Sequence, residues 1–273
     1  MHLPCIIILL SLPYEEYDTK SIRKCTTGAS ILPNETKERL MKLFPNIDGI
    51  YDVYGSTEAS PSIAILKARD SLRKRECVGP PVPFLEVRIA DDQGRDVPVG
   101  EVGELVCRGP NVMKGYYKDR KATKEALKGG WLHTGDLGRM DEEGYVYIVD
   151  RKKDMIVSGG ENIYPREIEE LLYHHPKIQD GAVIGIPDPM WGESVKAFVV
   201  LKNGETMKEE EVIEYCKSHL ASYKKPKTVE FMESLPRNPS GKVLKTLLRE
   251  QGRDRKGSTG GDLKGCYDRE KKE

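Results

Sequence analysis

Arg151-Lys152-Lys153-Asp154-Met155-Ile156 runs on through Val157-Ser158 into Gly159-Gly160-Glu161-Asn162-Ile163-Tyr164-Pro165-Arg166-Glu167-Ile168-Glu169. A basic turn leads into a short apolar β segment. A glycine pair breaks that segment, and a helix then starts at Pro165, a residue whose missing N–H costs nothing in a first turn. Ile168, Leu171 and Leu172 recur at helical spacing, so the helix is expected to reach about His174. Downstream, Ala182–Ile186 and Ala197–Leu201 read as strands, Met207–Leu220 as a helix with Val212, Ile213, Cys216 and Leu220 inward, and Thr228–Met232 as a third strand. Residues 151–250 therefore form a compact α+β unit, with the composition shifting at Asp150-Arg151.

Upstream, residues 20–150 read as many short strands and turns with a few helices. Asn34–Leu43 is helical, with Asn34 as its cap and Leu40, Met41 and Leu43 on one side. Glu86–Ala90 is a strand closed by the turn Asp91-Asp92-Gln93-Gly94, and Glu104–Arg108 is another. Tyr145–Val149 follows the turn Asp141-Glu142-Glu143-Gly144 and completes a hairpin. The 273 residues suffice for one large or two ordinary domains. Lys plus Arg and Asp plus Glu balance at 44 each, which excludes a global field for nucleic acid. The six cysteines show no CxxC pair and no histidine at metal-finger spacing, so reduced thiols in a cytoplasmic protein are expected. The apolar start Met1–Leu10 is too short for a membrane span, lacks a basic leader region and is read as a buried helix or strand. Residues 251–273, rich in Gly and in both signs of charge, are read as a disordered tail.

Three further blocks stand in order with the first: Tyr54-Gly55-Ser56-Thr57-Glu58, Trp131-Leu132-His133-Thr134-Gly135-Asp136 and Asn238-Pro239-Ser240-Gly241-Lys242. Singly, each reads as a polar or lysine-bearing surface turn. As a set, from about residue 20 to about residue 250, the chain resembles the second half of an adenylate-forming acyl-CoA synthetase, the group that includes fatty-acyl, benzoyl and coumaroyl ligases and beetle luciferase. The fold this implies is α/β plus α+β. The remnant of a large adenylate-forming domain (1–150, a mixed sheet and a β-rich subdomain) precedes a small mobile α+β domain (151–250).

The resemblance implies two reactions: ATP activates a carboxylate as an acyl-adenylate, and the acyl group then passes to coenzyme A. It assigns Thr57 to the α-phosphate and Glu58 to Mg²⁺, a hard ion suited to carboxylate oxygen. Tyr54 presents a flat face to adenine, and Gly55 lets the backbone approach the nucleotide. Gly28 and Ala29, in Thr27-Gly28-Ala29, match the family's small-residue loop against adenine more loosely. Asp136 accepts from the ribose hydroxyls, Arg151 reaches ribose or phosphates, and Lys153 sits at the hinge between half-reactions. Lys242 is the adenylation lysine, a compact cation for a transient anionic centre. Gly159 and Gly160 line the thiol tunnel. His133 is expected to be a packed or exposed histidine. Val157 stands where luciferase carries a second lysine, which argues against luciferase-like chemistry.

No Ser/Thr/Gly-rich loop ending in Pro-Lys, able to hold the β- and γ-phosphates, occurs in the chain. The expected protein is accordingly a truncated acyl-CoA ligase acting on a medium- or long-chain fatty acid, with an aromatic acid close behind. The alternatives are an inactive remnant that binds nucleotide or a partner, or an aryl-acid or amino-acid adenylating enzyme. Partners are a small carboxylate and CoA, without nucleic acid or a transmembrane segment. Oligomeric state is not legible.

Overall fold

The computed structural model describes residues 6, 9–10, 17–28, 34–74, 76–238 and 241–254. The chain divides between Lys153 and Asp154 into two compact units. Composition alone placed the boundary at Asp150-Arg151. The backbone of the first unit extends further because the strand containing Arg151 stays paired with its neighbour.

In the first unit, strand β1 (Cys25–Gly28) is followed by helix α1 (Asn34–Leu43) and strand β2 (Ile50–Tyr54). β1 and β2 pair in parallel, and β3 (Ala64–Leu66) adds antiparallel to β2, giving a mixed three-stranded sheet. Helix α1 lays Leu40 and Leu43 against Cys25 and Ile50 in one apolar cluster. It also carries Lys37, fully buried, to 2.5 Å from Asp52 in the middle of β2. Burial raises the Asp52 carboxyl and the lysine opposes that rise.

Strands β4 (Cys77–Gly79), β5 (Glu86–Ala90) and β6 (Gly103–Arg108), helix α2 (Arg120–Ala126), and strands β7 (Leu132–Met140) and β8 (Val146–Arg151) complete the unit. The five strands form an antiparallel sheet in the order β4-β8-β7-β6-β5. Its inner face carries Leu105, Cys107, Leu132 and Val146, packed against Ala59 and Ile63 from the mixed sheet's loops. β6 is buried on both faces from Gly103 to Cys107. The β6–β7 ladder slips between Glu104 and Val106, opposite Thr134-Gly135-Asp136. That irregularity re-aims the backbone just before Asp136, as bulges do near functional sites.

The second unit begins with the hairpin β9 (Ile156–Ser158) and β10 (Glu161–Ile163), then α3 (Pro165–Tyr173), β11 (Ile178–Asp188), β12 (Gly192–Leu201), α4 (Glu209–His219), β13 (Thr228–Phe231) and α5 (Lys245–Asp254). The long hairpin β11–β12 is its spine, with β9 antiparallel and β13 parallel to β12. Alternate residues serve two cores. Val183, Val195, Ala197 and Val199 face Ile168, Leu172, Val212 and Cys216, whereas Ala182, Ile184, Phe198 and Val200 face Leu235 and Leu248. Burial on both faces explains the near-continuous apolar runs in these strands. Because Leu248 is fully buried in the second core, α5 continues to Asp254, past the Gln251 at which the tail was expected to start. Residues 255–273, the rest of that tail, lie outside the described residues, as does most of the apolar start.

Candidate active site

In the first unit, three of the candidate residues meet directly. Asp136 is buried on β7, where Tyr54 Oη donates to its Oδ2 at 2.6 Å and Arg151 Nε to its Oδ1 at 2.6 Å. Tyr54 ends β2, Asp136 follows the bulge of β7 and Arg151 ends β8, so both sheets converge on one carboxylate. Burial, together with the Asp136 charge and hydrogen bond, holds the Tyr54 phenol far above its usual range. The phenol is therefore a permanent donor. An ionised carboxylate offers about four acceptor positions. With one position used on each oxygen, Asp136 keeps capacity for two more donors, the number that a ribose diol presents.

The Thr134-Gly135-Asp136 segment is fixed from three sides. Thr134 Oγ1 donates to the Leu105 carbonyl at 2.7 Å and accepts from Asp136 N at 3.1 Å. Gly135 N–H donates to Glu104 Oε1 at 3.2 Å. The Gly135 carbonyl accepts from Lys152 N at 2.8 Å. Glu104 also holds His133 Nδ1 and Lys152 Nζ, each at 3.1 Å. Burial by itself pushes the Glu104 carboxyl up, but the hydrogen bonds from His133 and Lys152 outweigh it and leave its pKa below the usual value. Thr134, Gly135, Arg151, Lys152 and the candidate hinge Lys153 line one concave surface of this unit.

Thr57-Glu58-Ala59 forms a single 3₁₀ turn after β2, with Thr57 exposed. Tyr116 Oη donates to Glu58 Oε1 at 2.8 Å, and this bond first of all keeps the Glu58 carboxyl below its usual pKa. Met113 N–H binds the Glu58 carbonyl at 2.8 Å. Among the described residues no cluster of three His, Cys, Asp or Glu could hold a metal alone. One ionised, accessible carboxylate instead suits an ion such as Mg²⁺, which takes one or two carboxylates and completes its shell with phosphate oxygens.

Gly55 has a structural cause beyond the nucleotide approach expected from sequence. A Cβ there would stand 1.9 Å from the Pro61 carbonyl oxygen. Gly28 ends β1 opposite Val53, with space for a Cβ only 3.0 Å from the Val53 carbonyl oxygen. Ala29, the other small residue expected beside adenine, lies outside the described residues.

In the second unit, Gly159 and Gly160 form the turn of the β9–β10 hairpin with φ of 60° and 87°. The Trp191 ring covers Gly159, and Gly159 N–H donates to the Trp191 carbonyl at 2.8 Å. Lys242 is exposed at the end of a closed turn. Its N–H donates to Asn238 Oδ1 at 2.9 Å, and its carbonyl accepts from Asn238 N at 2.9 Å. Arg237, bonded to Asp180, anchors the other arm. Pro239 and Ser240 of this block lie outside the described residues.

Residues 5–117 match the AMP-binding enzyme family, and residues 167–242 match the AMP-binding enzyme C-terminal domain. The chain belongs to the AMP-binding enzymes. It is 43% identical over 235 residues to a feruloyl-CoA synthase of an Amycolatopsis species, covering 86% of this chain and 47% of that protein. It is 43% identical over 240 residues to a long-chain-fatty-acid–CoA ligase of Bacillus subtilis, covering 87% of this chain and 42% of that one. Among solved structures, the o-succinylbenzoate CoA synthetase MenE of Bacillus subtilis, in complex with its acyl-adenylate intermediate, matches with a TM-score of 0.79. Its identity is 35%, over 96% of this chain and 51% of that one. The chain spans about half the length of the curated relatives it matches.

For this AMP-binding enzyme, sequence reasoning missed Tyr116 and Glu104. Tyr116 lies 58 positions from Glu58 in a loop without periodicity. Glu104 is an outward position of a regular strand until the slip in the β6–β7 ladder turns it toward Gly135. Neither carries a local signal. His133, expected to be packed or exposed, is half-buried and bonded to Glu104.

Proposed function

We propose that this chain provides the nucleotide-facing and thiol-facing residues of an ATP-dependent, AMP-forming acyl-CoA ligase. The observation that carries the reading is the Asp136 carboxylate clasped between Tyr54 and Arg151, beside the accessible Thr57-Glu58 turn. In the first half-reaction a substrate carboxylate oxygen bonds to the α-phosphorus of ATP and the bond to pyrophosphate breaks. Asp136 accepts from the ribose hydroxyls and so fixes the nucleotide. Thr57 donates to the α-phosphate. Lys242 supplies the cation for charge that develops there, in a role worth orders of magnitude in rate. Glu58 would hold Mg²⁺, which supplies positive charge to the phosphate oxygens when bound. In the second half-reaction the CoA thiol attacks the acyl carbon and AMP leaves. Gly159 and Gly160 present bare backbone to the incoming thiol, and Lys153 is the hinge residue between the two steps.

The proposed acid is a medium- or long-chain fatty acid, since none of the motifs in this half suggests a charged substrate. The feruloyl and long-chain relatives match at the same identity. The buried free thiols Cys25, Cys77, Cys107 and Cys216 support a cytoplasmic setting. The test is thioester formation by the native gene product with ATP, CoA and a panel of carboxylic acids. The expected product is an acyl-CoA from C8–C18 acids with release of AMP. An aryl acid preferred over all of these overturns the substrate, and the absence of both acyl-adenylate and thioester with every acid overturns the reaction.

A further inference from the structure

The segment Trp191–Glu193, at the start of β12, grips the Val157–Gly160 turn from both arms. On one arm, Glu193 Oε2 accepts from Val157 N–H at 2.9 Å. On the other, Trp191 accepts from Gly159 N–H through its carbonyl and lays its ring over the Gly159 Cα. Gly192 pairs with Ser158 between them. The neighbouring strand is shaped around this carboxylate. Gly185, on β11 and in register with Val195, has no side chain where a Cβ would meet Glu193 Oε1 at 2.8 Å, its Cδ at 3.0 Å and its Oε2 at 3.1 Å. The bare position leaves room for the Glu193 carboxylate to lie against the Val157 amide. A carboxylate bound to a backbone N–H is among the stronger neutral-pH hydrogen bonds.

We propose that Glu193 is a positioning residue for thioester formation: it fixes the height of the Val157–Gly160 turn, and Gly185 is the space that lets it do so. The role rests on the acyl-CoA ligase reading, in which Gly159 and Gly160 face the thiol, but the grip itself can be tested without it. A turn with two left-handed glycines has little stiffness of its own, so its placement comes from these contacts. Glu193 touches neither nucleotide nor thiol in this account. It acts through the backbone of Val157.

The test compares Glu193→Gln, Glu193→Ala, Gly185→Ala and the double variant Gly185→Ala/Glu193→Ala. Amide hydrogen exchange is followed at Val157 and Gly159 in this chain, and the two half-reactions are followed in the native gene product. In Glu193→Ala, exchange at Val157 and Gly159 is expected to speed by about tenfold, the loss of one hydrogen bond. Thioester formation is expected to fall about tenfold further than adenylate formation, and Glu193→Gln, whose side-chain oxygen still accepts, should recover most of both. Gly185→Ala should mimic Glu193→Ala when alone and add little in the double variant, because contacting sites do not add. Unchanged exchange in Glu193→Ala, or full additivity in the double variant, overturns the grip. Faster exchange with both half-reactions lowered equally overturns the role. A wild-type gene product that forms no adenylate overturns the ligase reading and the role with it, while exchange still judges the grip.

Discussion

Tyr54 Oη lies 2.6 Å from Asp136 Oδ2, across 82 positions of sequence and between two different sheets. The contact converts a residue expected to offer only a flat ring into the anchor of the carboxylate assigned to ribose. Tyr54→Phe keeps the ring and removes the donor. Asp136 is then held by Arg151 alone, with one oxygen desolvated and unanswered. A hydrogen bond to a charged group is worth about 1.5–3 kcal/mol. The expected result is AMP binding weaker by about tenfold to a hundredfold in calorimetric titration, with a lower unfolding midpoint. Unchanged affinity removes Asp136 from the nucleotide site.

Gly55→Ala tests whether this glycine serves the fold as well as the nucleotide. The added Cβ meets the Pro61 carbonyl oxygen at 1.9 Å and Ile63 N at 2.9 Å, all backbone, with no flexible side chain to yield. Overpacking that must move backbone costs about 3 kcal/mol or more. Denaturant unfolding should show a lower midpoint in the absence of any nucleotide. A variant of wild-type stability that has lost only nucleotide affinity would return Gly55 to the role read from sequence.

What the sequence made legible follows periodicity. Ile168, Leu171 and Leu172 mark α3, and the alternation in Glu86–Ala90 marks β5. The long strands β11 and β12 were read short because their ends, Gln179-Asp180 and Glu193, are polar where one face meets solvent. α5 was not read as a helix because, among its described side chains, only Leu248 is fully buried, too few for an apolar stripe to stand out. The site blocks were legible as local motifs. Their partners were not: Tyr116 reaches Glu58, and Glu104 reaches Gly135, through tertiary approach that no spacing encodes.

Glu104 gathers Gly135 N–H, His133 and Lys152 on one buried carboxylate. Glu104→Gln keeps an acceptor for Gly135 but loses the charge that holds Lys152, and should cost about 1–2 kcal/mol of stability. The sign with pH is fixed by the direction of the shift. The folded carboxyl lies below its ordinary value, so its contribution is complete above the ordinary glutamate range and is lost as pH falls through the folded value. Unfolding free energy measured from pH 7 down to pH 3 should decline less steeply in Glu104→Gln than in wild type. Parallel curves would show that Glu104 is not an ionised hub.

Cys77, Cys107 and Cys216 are buried free thiols whose pKa is pushed by burial from 9.0 to about 11. The folded state holds the proton more tightly than the unfolded state. The associated stability is therefore complete below pH 9 and is lost between pH 9 and about 11, at about 3 kcal/mol per thiol. Stability should fall over that window and the fall should shrink when any one is replaced by Ala or Val. In native buffer at pH 8 the three should resist iodoacetamide and react on unfolding. Rapid alkylation in the folded state would place them at an accessible surface.

Lys242 separates chemistry from fold. Its side chain is exposed, and the turn that presents it is closed by backbone and Asn238 contacts that do not use the ammonium. Lys242→Ala should leave the thermal midpoint within about 1 °C, as exposed substitutions do. If the lysine meets charge developing on the α-phosphate, pyrophosphate exchange falls by about 10²–10³-fold, while AMP affinity changes less, because the five-coordinate phosphorus it serves exists only in the transition state. Lys242→Arg should restore little, since a planar fork does not replace a compact cation. Thioester formation started from supplied acyl-adenylate should be nearly unaffected, since the phosphate bond it serves has already been made. An equal loss in both half-reactions would mean that Lys242 binds nucleotide throughout, and its assignment to the adenylation step would fall.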